Sequence, residues 1–402
     1  MAWLAAGLVL PAVAAAALYA VRRTVPNTDV ALLIIGTVIV VATSGRRAAA
    51  ALAAVSAALS YDYFHTVPYH SFTIASHNDA LATVALGLLA LVVGQIAARA
   101  SSTHIELVYL AAAAVLSQAV PEPARFLVDH RGLDVALAVL VLVTALTLAP
   151  SAFRGVADHS ARLVVSLVAA AVALPLLSWV VSRLVSAVAL RRGILTVGLA
   201  PAEIASVATT SLAGAETAIA AGILVGSTLI CVLVAGLALR LLGGGSAVDA
   251  TGLLGNLALI VGAPMALGIA IRSRLVLTEA QEAAAERISV AVVTLLVWMV
   301  ASQVRLSSAY VGVTIALVLF IAGSALLGVG LGWRAPRGVA TALLLTTSMR
   351  DFAIAAGIAV AAFGAEAAAP LGLYGLLVIA WGMAVATWRT ARPSRPGATS
   401  PA

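Results

Sequence analysis

Apolar stretches of about 16 to 25 residues follow one another along the chain, each able to cross about 30 Å of hydrocarbon at about 1.5 Å per residue. Short polar breaks separate them. This pattern predicts an all-α polytopic membrane protein. Four spans come first, at about Ala2 to Val21, Thr28 to Thr43, Arg46 to Tyr61 and Asn78 to Ala98. The polar stretch Ala100-Ser101-Ser102-Thr103-His104 then marks the best domain boundary. Ten further spans follow, at about Ile105 to Val120, Leu133 to Leu148, Ala161 to Leu184, Gly193 to Leu212, Glu216 to Leu241, Thr251 to Ile271, Ala284 to Ser302, Ser308 to Leu331, Gly338 to Phe363 and Ala367 to Trp388. The domains expected are residues 1–104, residues 105–390 and a disordered cytosolic tail, 391–402.

Two of the ten spans break the apolar pattern, each standing fourth in its set of five. One contains Pro201 and Glu203, with Ser206, Thr209 and Thr210 behind them; the other contains Thr346, Thr347, Ser348, Arg350 and Asp351. Pro201 removes a hydrogen bond and clashes with the preceding turn, so its helix should break there. Arg350 and Asp351 are costly at membrane depth unless they face a protein interior or a watery cavity. The crowded hydroxyls before them suggest a backbone that unwinds and is satisfied by side chains. Paired interruptions at matching positions in two halves point to an inverted-repeat (5+5) transporter with its site at the midplane. A short echo supports the pairing: Thr209-Thr210-Ser211 with Ala218 to Gly222, against Thr346-Thr347-Ser348 with Ala353 to Gly357. The plainer alternative for Arg350 and Asp351 is an ion pair locking two helices. Glu203 is either a cap on the following half-helix or a site residue.

Composition agrees with the membrane class: of 402 residues, 63% are hydrophobic and 10% charged. All 23 basic residues are Arg, and no basic patch interleaved with aromatics is present to bind nucleic acid. The single Cys231 excludes an intramolecular disulfide and reads as a small core residue. With both termini inside, 13 Arg fall on the cytoplasmic side and nine outside, which favours cytoplasmic termini in a plasma or inner membrane. The first segment lacks a basic leader and reads as a retained helix. His65, His70 and His77 lie at spacings that do not stack on one helical face, so no metal site is expected there. No nucleophile–base pair or phosphate loop suggests an enzyme, and no cofactor is expected.

The aromatic run Tyr61-Asp62-Tyr63-Phe64 through Pro68-Tyr69-His70-Ser71-Phe72-Thr73-Ile74, followed by Asn78-Asp79, resembles the four-helix transmembrane domain of the potassium-responsive sensor kinase KdpD. No kinase module follows it. The ten-span part resembles the bile acid:sodium symporter family, through Ala173-Leu174-Pro175-Leu176-Leu177, the stretch from Pro201 to Thr228, and Met349 to Ala353. That resemblance implies two inverted five-helix repeats with two broken helices crossing at the centre.

The departures from that family bear on function. Its Ser-Asn pair falls on Ser206 and Val207, and its Glu-x-x-Met-Gln-Asn sodium motif falls on Thr346 to Asp351, with Arg350 and Asp351 in the last two positions. A guanidinium among sodium ligands would repel the ion. Arg350 is therefore expected to stand in for sodium, with Asp351 or Glu203 as its partner, in a transporter for a small organic anion; bound sodium is possible but doubted. Two alternatives stay open: a receptor or regulatory protein that binds a ligand without moving it, and a proton-coupled exchanger using Asp351. The lipid bilayer is the other expected partner, and oligomeric state is not legible.

Overall fold

The computed structural model describes residues 2–19, 46–66, 68–71, 121–148, 159–244, 248–304 and 309–390, together with positions 34, 37, 38, 41, 113 and 117. The spans predicted from Thr28, Asn78 and Ile105, and the tail 391–402, fall wholly or mostly outside these residues. Among the described residues the regular structure is helical apart from one short antiparallel bridge. Among the described residues six helices are long and apolar enough to cross a membrane, and three shorter apolar ones accompany them.

Near the N-terminus, α1 (Ala2–Tyr19) packs against α2 (Arg47–His65). The pair is tied by Ser56 Oγ donating to the Leu8 carbonyl at 2.7 Å and by His65 Nε2 with the Ala15 carbonyl at 2.9 Å. The aromatic segment after α2 folds back on its end. His70, at φ 60, places its ring 4.9 Å from Tyr19 and 5.4 Å from Tyr63.

The larger part begins with α3 (Pro121–Asp129), a short helix that the span pattern does not predict because it is amphipathic. Proline at its first position and Glu122 in its first turn suit a helix start. Arg125 ties it to the end of a later helix by donating to the Ser302 carbonyl at 3.2 Å. Then come α4 (Gly132–Thr147), α5 (Ser160–Ser182), the pair α6 (Val188–Leu199) and α7 (Ala205–Leu212), and α8 (Thr217–Leu239). The second set is α9 (Ala250–Leu257) continued by a π turn, Ala258–Gly262, into α10 (Ala263–Arg274), then α11 (Glu279–Ala301), α12 (Ala309–Leu331), the pair α13 (Arg337–Ser348) and α14 (Phe352–Phe363), and α15 (Ala369–Thr390). The two interrupted helices thus occupy equivalent places in the two sets, at the residues the sequence pattern indicates.

Burial follows the logic of a lipid-facing surface. On α5, Ser166, Ala170, Leu174 and Ser178 are buried while Val165, Val168, Val172 and Leu176 are exposed. Each set repeats at helical spacing, so one stripe packs inward and an apolar stripe faces out. In water such a stripe would be a liability; in hydrocarbon it is the matching surface. At Gly198, α6 lies so close to α5 that a Cβ would strike the Leu174 carbonyl and Ser178 Oγ. Ser178 Oγ in turn donates to the Leu195 carbonyl at 3.1 Å.

Two helix starts outside the apolar spans are capped by side chains. Asp249 accepts from Gly252 N–H at 3.0 Å and from the Thr251 hydroxyl at 2.9 Å, and these bonds hold its carboxyl below the usual carboxylate range. Thr278 and Gln281 form a reciprocal capping box at the start of α11. Arg272, at the end of α10, pairs with Glu282 at 2.5 Å across the intervening turn. Thr278→Ala is expected to lower unfolding stability by about 1 kcal/mol, read from denaturant unfolding in detergent. No measurable loss would mean that the ion pair alone fixes this helix start.

Candidate functional site

The site is built where the two interruptions meet. Pro201 has no N–H to continue α6, and Ala200 before it is extended at φ −62, ψ 152, so the helix stops at Leu199. The second helix stops at Ser348 without a proline; Met349 is extended at φ −98, ψ 109, and Asp351 at φ −69, ψ 107. The two extended segments run antiparallel with Ala202 opposite Arg350. Glu203 N–H donates to the Met349 carbonyl and Asp351 N–H to the Pro201 carbonyl, both at 2.9 Å. Unwound backbone at membrane depth must find partners within the protein. Here each break supplies them to the other.

At an antiparallel pair of this kind the central residues point their own N–H groups outward. The Ser227 hydroxyl accepts from Ala202 N–H at 2.9 Å, and the Tyr374 hydroxyl accepts from Arg350 N–H at 3.1 Å. Ser227 lies on α8 and Tyr374 on α15, each in the helix that follows its interrupted pair. Their separations along the chain from the residues they serve, 25 and 24, nearly coincide. Sequence reading passed over both residues. The usable signal was a hydroxyl about two dozen positions after each break.

Extended backbone sends successive side chains to opposite faces. Ala202 and Arg350 therefore share one face of the crossing, and Pro201, Glu203, Met349 and Asp351 share the other. Arg350 therefore makes no ion pair within 4 Å with Asp351 or Glu203, because adjacency along an extended strand sends neighbours to opposite faces, although the charges of Arg350 and Asp351 still act on each other. Instead Arg350 Nη2 donates to the Ala200 carbonyl, while Nε and Nη1 have no partner among the described residues. The side chain is buried, and it lines a small cavity of about 20 Å³ between α5, the end of α6 and α8. Pro175, Leu199, Ser227, Cys231 and Ala235 share that lining. Cys231 is thus both a buried residue, as expected, and a wall of the cavity.

The opposite face is acidic. Asp351 caps α14, with Oδ1 accepting from Ile354 N–H at 2.8 Å. Glu203 Oε2 accepts from Phe352 N–H at 3.3 Å, and its carboxylate also faces the N–H groups of Ile204 and Ala205. Glu203 is therefore a cap, but one that holds the start of a helix from the other repeat as well as its own. Both carboxylates are buried, at 7% and 1% exposure, and Asp351 Oδ2 has no partner among the described residues.

The remaining candidate residues are buried on the flanking half-helices. Thr209, Thr210 and Thr346 return their hydroxyls to the carbonyls of Ala205, Ser206 and Ala342, and Ser348 returns its own to Leu344. These groups do not fill the break, contrary to the expectation that they would satisfy unwound backbone. Ser348 also accepts from the Trp381 indole N–H at 2.8 Å. Thr347 is buried beside them, and Ser206 Oγ is buried without a partner among the described residues. The halves of different breaks lie side by side: Thr196 on α6 donates to the Ala355 carbonyl on α14 at 3.0 Å, and Arg192 lies 5.0 Å over the Phe363 ring.

Two family matches cover much of the chain. Residues 3–108 match the Domain of unknown function (DUF4118), and residues 134–314 match the Sodium Bile acid symporter family. The first covers the four-span part where the KdpD resemblance lies. The second begins within α4 and ends within α12, short of the second interrupted helix. No curated protein sequence matches the chain.

Proposed function

We propose that this multi-pass protein, a DUF4118 region joined to a Sodium Bile acid symporter region, is a secondary transporter for a small organic anion that it binds without sodium. The family match supports a transporter-like membrane protein. The observation that carries the finer reading is the orientation of Arg350. Its side chain leaves the strand on the face opposite both carboxylates, engages the Ala200 carbonyl and lines a mostly apolar cavity. A permanently charged group of this kind suits a carboxylate or similar anion, and an apolar lining suits a short hydrocarbon body. The nine residues Glu203, Ser206, Thr209, Thr210, Thr346, Thr347, Ser348, Arg350 and Asp351 remain the proposed site, divided between an anion face and an acidic face. We place the protein in the plasma or inner membrane with cytoplasmic termini.

Cys231 offers a direct test, since it is the only cysteine in the sequence and shares the cavity with Arg350. A negatively charged methanethiosulfonate should modify it several-fold faster than a positively charged one of similar size. Arg350→Gln should abolish that preference. Equal rates for both reagents in the wild type would sink the anion reading.

A further inference from the structure

We infer that Glu203 and Asp351 together hold one exchangeable proton, making the acidic face of the crossing a proton site opposite the anion cavity. The inference deepens the transport reading, on which its coupling role rests. Both carboxylates are buried on the same face of the paired strands, and both reach the first turn of α14: Glu203 through Phe352 N–H and Asp351 through Ile354 N–H. Two like charges so placed in a poorly polarisable interior disfavour double ionisation. The starts of α7 and α14 supply partial positive charge, each equivalent to about half an elementary charge. That suits one negative charge on the pair rather than two.

Arg350 is the one cation that acts on the pair, through Asp351, and it stands on the opposite face of the strand, so it cannot neutralise both carboxylates. Arg350 projects from the far face of the strand and engages the Ala200 carbonyl. Tyr374, from α15, uses its hydroxyl on Arg350 N–H. Cys231, from α8, lines the anion cavity, and Asp134, from α4, adjoins Ile354 and Gly357 further along α14. Asp351 Oδ2, buried and without a partner among the described residues, is the position left for a proton. No covalent rearrangement is involved: the proton enters on one carboxylate oxygen from one side of the membrane and leaves to the other. Because the pairing bonds of Glu203 and Asp351 are those that hold the crossing together, loss of that proton sets two negative charges against each other at the joint between the repeats.

The test is infrared spectroscopy of the full chain in lipid, comparing neutral with alkaline buffer in H₂O and in D₂O. The wild type should show a protonated-carboxyl stretching band at neutral pH that shifts in D₂O and disappears at alkaline pH. Glu203→Gln and Asp351→Asn should each lose it, because the introduced amide donates an N–H where the shared proton lay. Asp249→Asn, at an exposed cap, should keep it. If Asp351→Asn does not fold, Glu203→Gln alone decides. A wild type with no such band, or a band unchanged in the folded variants, overturns the proposal; so does a band that sodium removes at fixed ionic strength. A band that behaves as expected in a protein that accumulates no anion would leave the proton site standing and remove the transport reading.

Discussion

Arg350→Gln is expected to raise the unfolding midpoint of the ligand-free protein while abolishing its stabilisation by anions. The sign follows from two opposed effects. The substitution removes a charge-assisted hydrogen bond to the Ala200 carbonyl, of a kind that contributes about 1.5 to 3 kcal/mol. It also removes a buried cation with no ion-paired carboxylate, whose desolvation costs several kcal/mol even after relaxation. The second effect should win. In the wild type, a bound anion at about a hundred times its dissociation constant adds about 2.7 kcal/mol, which the variant should lack across a panel of short carboxylates. Exchanging sodium for choline at fixed ionic strength should leave the wild-type midpoint unchanged. Arg350→Lys should keep part of the anion response. If Arg350→Gln lowers ligand-free stability and the anions have no effect on either protein, Arg350 is a structural residue and the proposed function fails.

The second large effect is expected at the two hydroxyls that serve the crossing. Tyr374→Phe leaves the Arg350 N–H, and Ser227→Ala the Ala202 N–H, buried without an acceptor. Each should cost about 1 to 3 kcal/mol, the desolvation penalty of an orphaned donor. Because both act on one pair of strands, the double variant should depart from additivity. Thr228→Ala is the control, since Thr228 only returns its hydroxyl to the Leu224 carbonyl within its own helix. Unfolding in detergent should rank both variants well below it. A Tyr374→Phe protein as stable as Thr228→Ala would show that the crossing does not depend on this bond.

The spans that fall within the described residues were readable because length and hydropathy decide them. The interruption at Pro201 was readable because proline leaves the backbone no choice. The second break carries no proline; Arg350 and Asp351 betrayed it only through their cost in hydrocarbon. What sequence adjacency could not supply was direction. In a helix, residues 350 and 351 would diverge by about 100° and either could reach Glu203; in a strand they oppose each other. The expected contact between Arg350 and Asp351 is missing on that account, and the separation into an anion face and an acidic face follows from the same fact. Ser227, Tyr374 and Trp381 escaped notice for a related reason. A hydroxyl or an indole in an apolar span is ordinary, and only the position of the opposing backbone shows which of them is needed. The helix α3 was missed because its amphipathic pattern is invisible to a search for long apolar runs.

The mutual dependence of the two breaks also bears on how the protein is made. Phe352 N–H finds Glu203 across 149 positions of chain, so the Pro201 interruption enters the bilayer well before the strand that completes it has been synthesised. At about 5 to 20 residues per second, the delay is roughly 7 to 30 s. For that time the unwound backbone around Ala202 lacks its strand partner, and water, lipid headgroups or an insertion factor must stand in. The first repeat is then not an independent folding unit; its closing contact belongs to the last third of the chain.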